Sequence, residues 1–153
     1  MTVGSFCNRT VVICRESDSI LESARRMRDF DVGSLVVVED RNGVRVPVGI
    51  VTDRDIMLDL AEADHIAART RLVGDVMSRG VVTAREDESL DDGLKRMRAY
   101  GVRRLPVVNA EGGLEGLVTF DDLLGLFAEE LTDMTRLLTR EKHWHEGAHG
   151  RPL

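Results

Sequence analysis

The 153-residue chain has no apolar run near the roughly 18 residues that a transmembrane helix needs, so no span is expected. It has little cysteine. Cys7 and Cys14 form no C-x-x-C motif, and a disulfide is not expected in a reducing compartment. It has no excess of positive charge: the formal net charge is −6, which argues against non-specific nucleic-acid binding. The opening MTVGSFCNRT lacks a basic region followed by an apolar core, so a cytoplasmic location is expected. Catalytic patterns are missing too. There is no Ser-His-Asp or Cys-His arrangement and no P-loop. Asp121 and Asp122 are adjacent, so on a helix they point about 100° apart and make a poor acid/base pair. No enzyme is expected.

What the chain does have is a repeat. At 42% hydrophobic and 31% charged it suits one compact domain, or two small units sharing a core. Shifted by 70 residues, VGSFCNRTVVICRES (3–17) lies on VGDVMSRGVVTARED (73–87). The match runs on through Ser19/Ser89, Arg26-Met27-Arg28/Arg96-Met97-Arg98, Val32/Val102 and Leu35/Leu105 to Gly43/Gly113. Three extra residues in VRVPVG then change the shift to 67.

Each copy reads as β-α-β-β-α after a short helical turn (3–8 and 73–78). The first strands are expected at 11–13 and 81–83. The following helices place Ile20, Ala24, Met27 and Phe30, or Leu90, Leu94, Met97 and Tyr100, on one face. Ser19 and Ser89 sit where N-caps belong, with Glu22, Asp91 and Asp92 in the first turns. LVVV (35–38) and LPVV (105–108) are strands. EDRNG and NAEGG are hairpin turns, and PVGIV and LEGLV are the third strands. The apolar strands imply sheets covered by helices in an α/β (α+β) fold. The expected boundaries are repeat 1 at 2–61, a partly helical linker at 62–72, repeat 2 at 73–128, and a helical extension and tail at 129–153. Cys7 and Cys14 align with Met77 and Ala84, which reads as small buried positions.

The chemistry concentrates where each third strand meets its helix. GIVTDRD (49–55) recurs as GLVTFDD (116–122), fixing Gly49, Thr52 and Asp55 on Gly116, Thr119 and Asp122. A Thr at a helix start can cap it, and a carboxylate one turn on sits beside the free amide groups. Twice in one chain, this suggests a paired ligand site. The alternative is two helix caps with no ligand. The H-x-H-x-x-x-H run of His143, His145 and His149 could ligate a metal, but a polar tail is the favoured reading and no metal site is expected.

Two such repeats, with DVGSLVVV, GVRRLPVV and VGDVM, resemble a cystathionine-β-synthase (CBS) domain pair, or Bateman module, from about residue 2 to 128. With no catalytic or transport domain in the sequence, it looks like a small stand-alone bacterial CBS-pair protein. The resemblance implies two repeats about a pseudo-two-fold axis. It implies a regulatory role, with AMP, ADP, ATP or S-adenosylmethionine as ligand and no required cofactor. It also implies a homodimer packed through helices and a regulated partner protein that it does not name. Carried over, it gives Thr52 and Asp55 the ribose and phosphate in one cleft, with Arg103 and Arg104 from the other repeat. Thr119 and Asp122 take them in the second cleft, with Gly33 and Ser34. A guanidinium pair suits phosphate, so the Asp55 cleft is expected to bind nucleotide better. Val36 stands where the second repeat has Pro106. The competing reading is a structural or interaction dimer with vestigial clefts.

Overall fold

A computed structural model describes residues 1–64 and 66–148, with the side chains of 67, 68 and 139–148 outside that description. The chain divides into two compact units, Met1–Val118 and Thr119–Leu153.

The element order is α1 (Val3–Phe6), β1 (Ile13–Cys14), α2 (Ile20–Asp29), β2 (Ser34–Arg41), β3 (Val44–Thr52), α3 (Asp53–Glu62) and α4 (Ala67–Thr70). It continues with α5 (Val73–Val76), β4 (Ser78–Arg79), β5 (Ala84–Arg85), α6 (Leu90–Tyr100), β6 (Arg104–Val108), β7 (Leu114–Thr119) and α7 (Phe120–Ala148). Two sheets result. One is ordered β1-β2-β3-β4 and the other β5-β6-β7. In both, the short first strand runs parallel to the second: Ile13 opposite Val36, and Ala84 opposite Val107. The apolar runs of β2 and β6 are buried, as strands covered on both faces should be.

The local signals act as expected. Ser19 and Ser89 cap α2 and α6 through their hydroxyls. The β2–β3 hairpin turns at Asn42-Gly43, where φ is +52° and +83°. Two consecutive positive φ angles are the demand of a type I′ turn, which Asn-Gly meets at little cost. Two expectations need correction. The first strands start later than predicted, at Ile13 and Ala84. Ahead of Ile13, Val12 reaches β2 through one backbone bond, Val36 N–H to the Val12 carbonyl (3.2 Å). Phe30 and Tyr100 are exposed rather than core-facing. Phe30 is the C-cap of α2 and Tyr100 the last residue of α6, where the helix rotation ends. Of the cysteines, Cys14 is buried and Cys7 half-buried.

The repeats are interlocked at their leading segments. α1 precedes the first repeat, yet its backbone bonds to the second: Val3 N–H to the Glu88 carbonyl (2.8 Å) and Gly4 N–H to Glu86 (2.9 Å). α5 does the converse, with Val73 N–H on Asp18 (2.8 Å) and Gly74 N–H on Glu16 (2.9 Å). Val73 and Met77 accordingly belong to the core formed by Cys14, Ile20, Met27, Leu35, Val37, Val51 and Ile56. Arg79 crosses to Glu16 through two hydrogen bonds (2.9 and 3.1 Å), and Arg9 crosses to Glu115 (3.2 Å).

Candidate functional site

Thr52 ends β3 in an extended conformation (φ −114°, ψ 161°) and caps α3. Its hydroxyl accepts from the Asp55 N–H (3.1 Å), and Asp55 Oδ2 accepts from the Thr52 N–H (2.9 Å). This reciprocal box satisfies two donors that a helix start leaves free. It occupies one carboxylate oxygen of Asp55 and leaves Oδ1 for another donor. At the second corner, within the unit that starts at Thr119, the Asp122 N–H donates to Thr119 Oγ1 (3.1 Å). The Thr119 hydroxyl donates to Asp122 Oδ2 (2.6 Å). The two corners share a design but differ in proton placement: Thr119 gives its hydroxyl proton to the carboxylate.

Beside the first corner is a cleft built by both repeats. β4 adds to the edge of β3, with Ser78 opposite Ile50 and Arg79 opposite Gly49. The chain then turns at Gly80 (φ +68°) and runs through Val81 and Val82. Together with Val102, Arg103 and Arg104, these residues enclose about 210 Å³. The walls are apolar at Ile50, Val81, Val82 and Val102, and three arginines line it. Arg79 is already paired with Glu16, whose carboxylate raises the Arg79 pKa further. Arg104 is half-buried and Arg103 exposed.

The structure therefore brings Arg103 and Arg104 to one cavity with Ile50, two residues before Thr52. Thr52 and Asp55 themselves are outside its lining. Gly33 and Ser34 lie at the corner of their own repeat. Ser34 pairs with Thr52 across β2 and β3, and the Gly33 carbonyl accepts from the Asp53 N–H (3.1 Å). Sequence reasoning missed Ile50, Arg79, Val81, Val82 and Val102 as cleft residues. The signal was present, since Arg9/Arg79 and Val11-Val12/Val81-Val82 are identical pairs of the repeat. A larger cavity, about 550 Å³, opens between α2 and α3 over Ala24, Met27, Val32, Ile56, Met57 and Leu60. It is chiefly an apolar groove and holds none of the cleft arginines.

Among the described residues no group of three or more His, Cys, Asp or Glu side chains could hold a metal. His149 and the side chains of His143 and His145 lie outside the described residues, as does the Trp144 side chain. No helix among the described residues is long and apolar enough to cross a membrane.

The profile of the CBS domain matches residues 3–62 and again 73–129. The chain belongs to the CBS-domain family. An uncharacterised protein of Methanopyrus kandleri is 34% identical over 128 residues, covering 81% of this chain and 61% of its own length. The chain thus spans less than two thirds of that relative. Among solved structures, the CBS domain pair of a protein in complex with 5′-methylthioadenosine and S-adenosyl-L-methionine is similar. Its TM-score is 0.71 at 28% identity, covering 83% of this chain and 99% of that one. The Arabidopsis thaliana CBS-pair protein CBSX2, solved with AMP, has a TM-score of 0.67 at 28% identity, over 84% of this chain and 96% of that one. This chain is a CBS pair with two sheets and the helices of that fold.

Proposed function

We propose that the protein is a regulatory module that binds an adenosine-containing nucleotide in the cleft beside Asp55. The carrying observation is the apolar cavity of Ile50, Val81, Val82 and Val102 rimmed by Arg103 and Arg104. Its volume falls below the roughly 300–1,000 Å³ of drug-sized pockets, so it suits a purine base with the rest of the ligand outside. A ribose placed toward α3 meets Asp55, whose free oxygen can accept from the cis-diol in a charge-assisted bond. Phosphates then fall to the guanidinium groups. Two structurally similar CBS pairs hold AMP or S-adenosylmethionine with 5′-methylthioadenosine, which supports this ligand class.

The second corner is the weaker nucleotide site. Sequence positions 33 and 34 carry Gly and Ser where 103 and 104 carry arginines. Thr119 and Asp122 then take a less charged adenosine ligand. The groove between α2 and α3, with Met57 and Leu58 exposed nearby, serves as the contact of a homodimer. Ligand bridging the repeats shifts their packing, and a partner protein reads the change. Only a difference in affinity between two states drives such a shift.

A thermal-shift panel of AMP, ADP, ATP, NAD and S-adenosylmethionine tests the reading. A ligand at about 100 times its Kd adds about 2.7 kcal/mol of stability, which raises Tm by several degrees. The Asp55→Ala variant should lose more of that rise than Asp122→Ala, and equal losses would count against the asymmetry. A flat panel with a stable dimer would favour the second reading, an interaction protein with vestigial clefts. The capping geometry at Thr52 and Asp55 is what favours that alternative, since it gives both residues a structural role.

A further inference from the structure

Arg79 stands in two places at once. It lines the cleft with Arg103 and Arg104, yet its guanidinium is bonded to a carboxylate outside that lining. Both terminal nitrogens donate to Glu16 of the other repeat (2.9 and 3.1 Å), and one also donates to the Gly74 carbonyl (3.1 Å). The two side chains are 60% and 44% exposed, and an ion pair so open to water contributes little to stability. Its hold on Arg79 is weak enough for a phosphate inside the cleft to displace it. The docking of α5 does not depend on that side chain, because the Gly74 N–H donates to the Glu16 backbone carbonyl (2.9 Å).

The counterpart in the first repeat is braced twice. Arg9 aligns with Arg79 and donates to the Gly4 carbonyl (3.0 Å) and to Glu115 (3.2 Å), with Glu86 at 3.7 Å. Asn109 donates to the other oxygen of Glu115 (2.8 Å). Glu115 precedes Gly116, whereas the residue preceding Gly49 is Val48. Among the described residues, Arg79 thus has one carboxylate partner where Arg9 has two. Among the same residues, three arginines and no acidic side chain line the cleft. Two guanidinium forks meet a single phosphate group, and a third is used only when the ligand carries a longer chain.

We propose, resting on the nucleotide reading of this cleft, that Arg79 selects for the length of the ligand's phosphate chain, with Glu16 as its competing counter-ion. A chain of two or three phosphates reaches past Arg103 and Arg104 and draws Arg79 from Glu16. A monophosphate leaves the pair closed. The ligand class of the cleft is then a nucleoside di- or triphosphate. Because Glu16 belongs to one repeat and Arg79 to the other, the longer chains also release a tie between repeats that a monophosphate leaves in place.

Calorimetric titration of the full chain with AMP, ADP, ATP and inorganic pyrophosphate tests this in wild type, Glu16→Gln, Arg79→Gln and the double variant. Glu16→Gln removes the competitor and keeps the backbone bond. It should tighten ADP, ATP and pyrophosphate about fivefold, the upper range of an exposed ion pair, and leave AMP within about twofold. Arg79→Gln should erase the preference for ATP over AMP, and adding Glu16→Gln to it should then gain nothing. Should Glu16→Gln prove unfolded by circular dichroism, Glu16→Asp, whose carboxylate sits on a shorter stem, takes its place with a gain in the same direction. Unchanged or weaker binding of ATP and pyrophosphate by a folded Glu16 variant overturns the proposal, as does a preference that survives Arg79→Gln. The nucleotide reading outlives either result if AMP still binds. Pyrophosphate that binds with the expected pattern while no nucleotide does supports the selector and ends the nucleotide reading. No binding of any of these ligands, in any variant, ends both.

Discussion

Thr52 and Asp55 do two jobs that can be separated. As a cap, Thr52 supplies the first turn of α3 with an acceptor, so Thr52→Ala should cost about 1 kcal/mol in urea unfolding. As a ligand group, Asp55 needs its charge. Asp55→Asn keeps an oxygen for the Thr52 N–H and should unfold within about 0.5 kcal/mol of the wild type. Its nucleotide affinity should nevertheless fall about tenfold by calorimetric titration, because the acceptor is no longer ionised. A parallel loss of stability and affinity would mean that Asp55 acts only through the cap. Cys14 gives a pH prediction. Burial among apolar neighbours is the main cause that pushes its thiol to about 12, with the Asp18 charge adding to it. In the unfolded chain it ionises near 9. The unfolded state therefore binds fewer protons than the folded state above pH 9. Stability should fall between about pH 9 and 12, and Cys14→Ala should flatten that limb of a pH-dependent melting series. Thiol reagents should modify Cys7 first, since it is half-buried and its thiol is raised less far.

Among the elements, β4 is the smallest with consequence. Two residues, Ser78 and Arg79, carry the second repeat onto the edge of the first sheet. The approach requires Gly49: a Cβ there would lie 2.5 Å from the Ser78 carbonyl oxygen and 2.8 Å from Met77 Cε. Gly116 is its counterpart, where a Cβ would collide with Cys7 Sγ, and Asn8 bridges to Leu117 beside it. Gly49→Ala should destabilise by about 1–3 kcal/mol in denaturant unfolding. It should also weaken nucleotide binding, because Ile50 and Arg79 both shift. Legibility divides along the same line. The helix caps at Ser19, Ser89 and Thr52 were readable because a cap depends on residues two or three positions apart. The Asn42-Gly43 turn was readable because its φ angles admit few residue types. The start of β1 was misplaced by two residues, because Val11 and Val12 are as apolar as a strand but hardly join a ladder. β4 was not predicted and overlaps the end of the predicted helical turn (73–78) at Ser78, since pairing with Gly49 is a tertiary event with no periodicity of its own. Arg103 and Arg104 could be nominated from the duplicated frame, but which side chains would share their cavity could not.

For the whole molecule, each repeat's leading segment is bonded to the other repeat. The four residues VGSF carry no sign of which sheet they dock on, so this exchange was not visible in the sequence. It predicts cooperative behaviour. The sheets of Met1–Val118 should melt in a single transition, and a change in either repeat, such as Ser89→Ala or Ser19→Ala, should lower the same midpoint. Two separate transitions in calorimetry would contradict the interlocking. The same feature bears on descent. A gene holding one repeat would have made a chain whose arm had nowhere to dock within itself, and whose own docking place stayed empty. Such a chain folds only by trading arms with a sibling. Duplication closes that exchange within one molecule and leaves the two corners free to differ, with Arg103 and Arg104 in one repeat and Gly33 and Ser34 in the other.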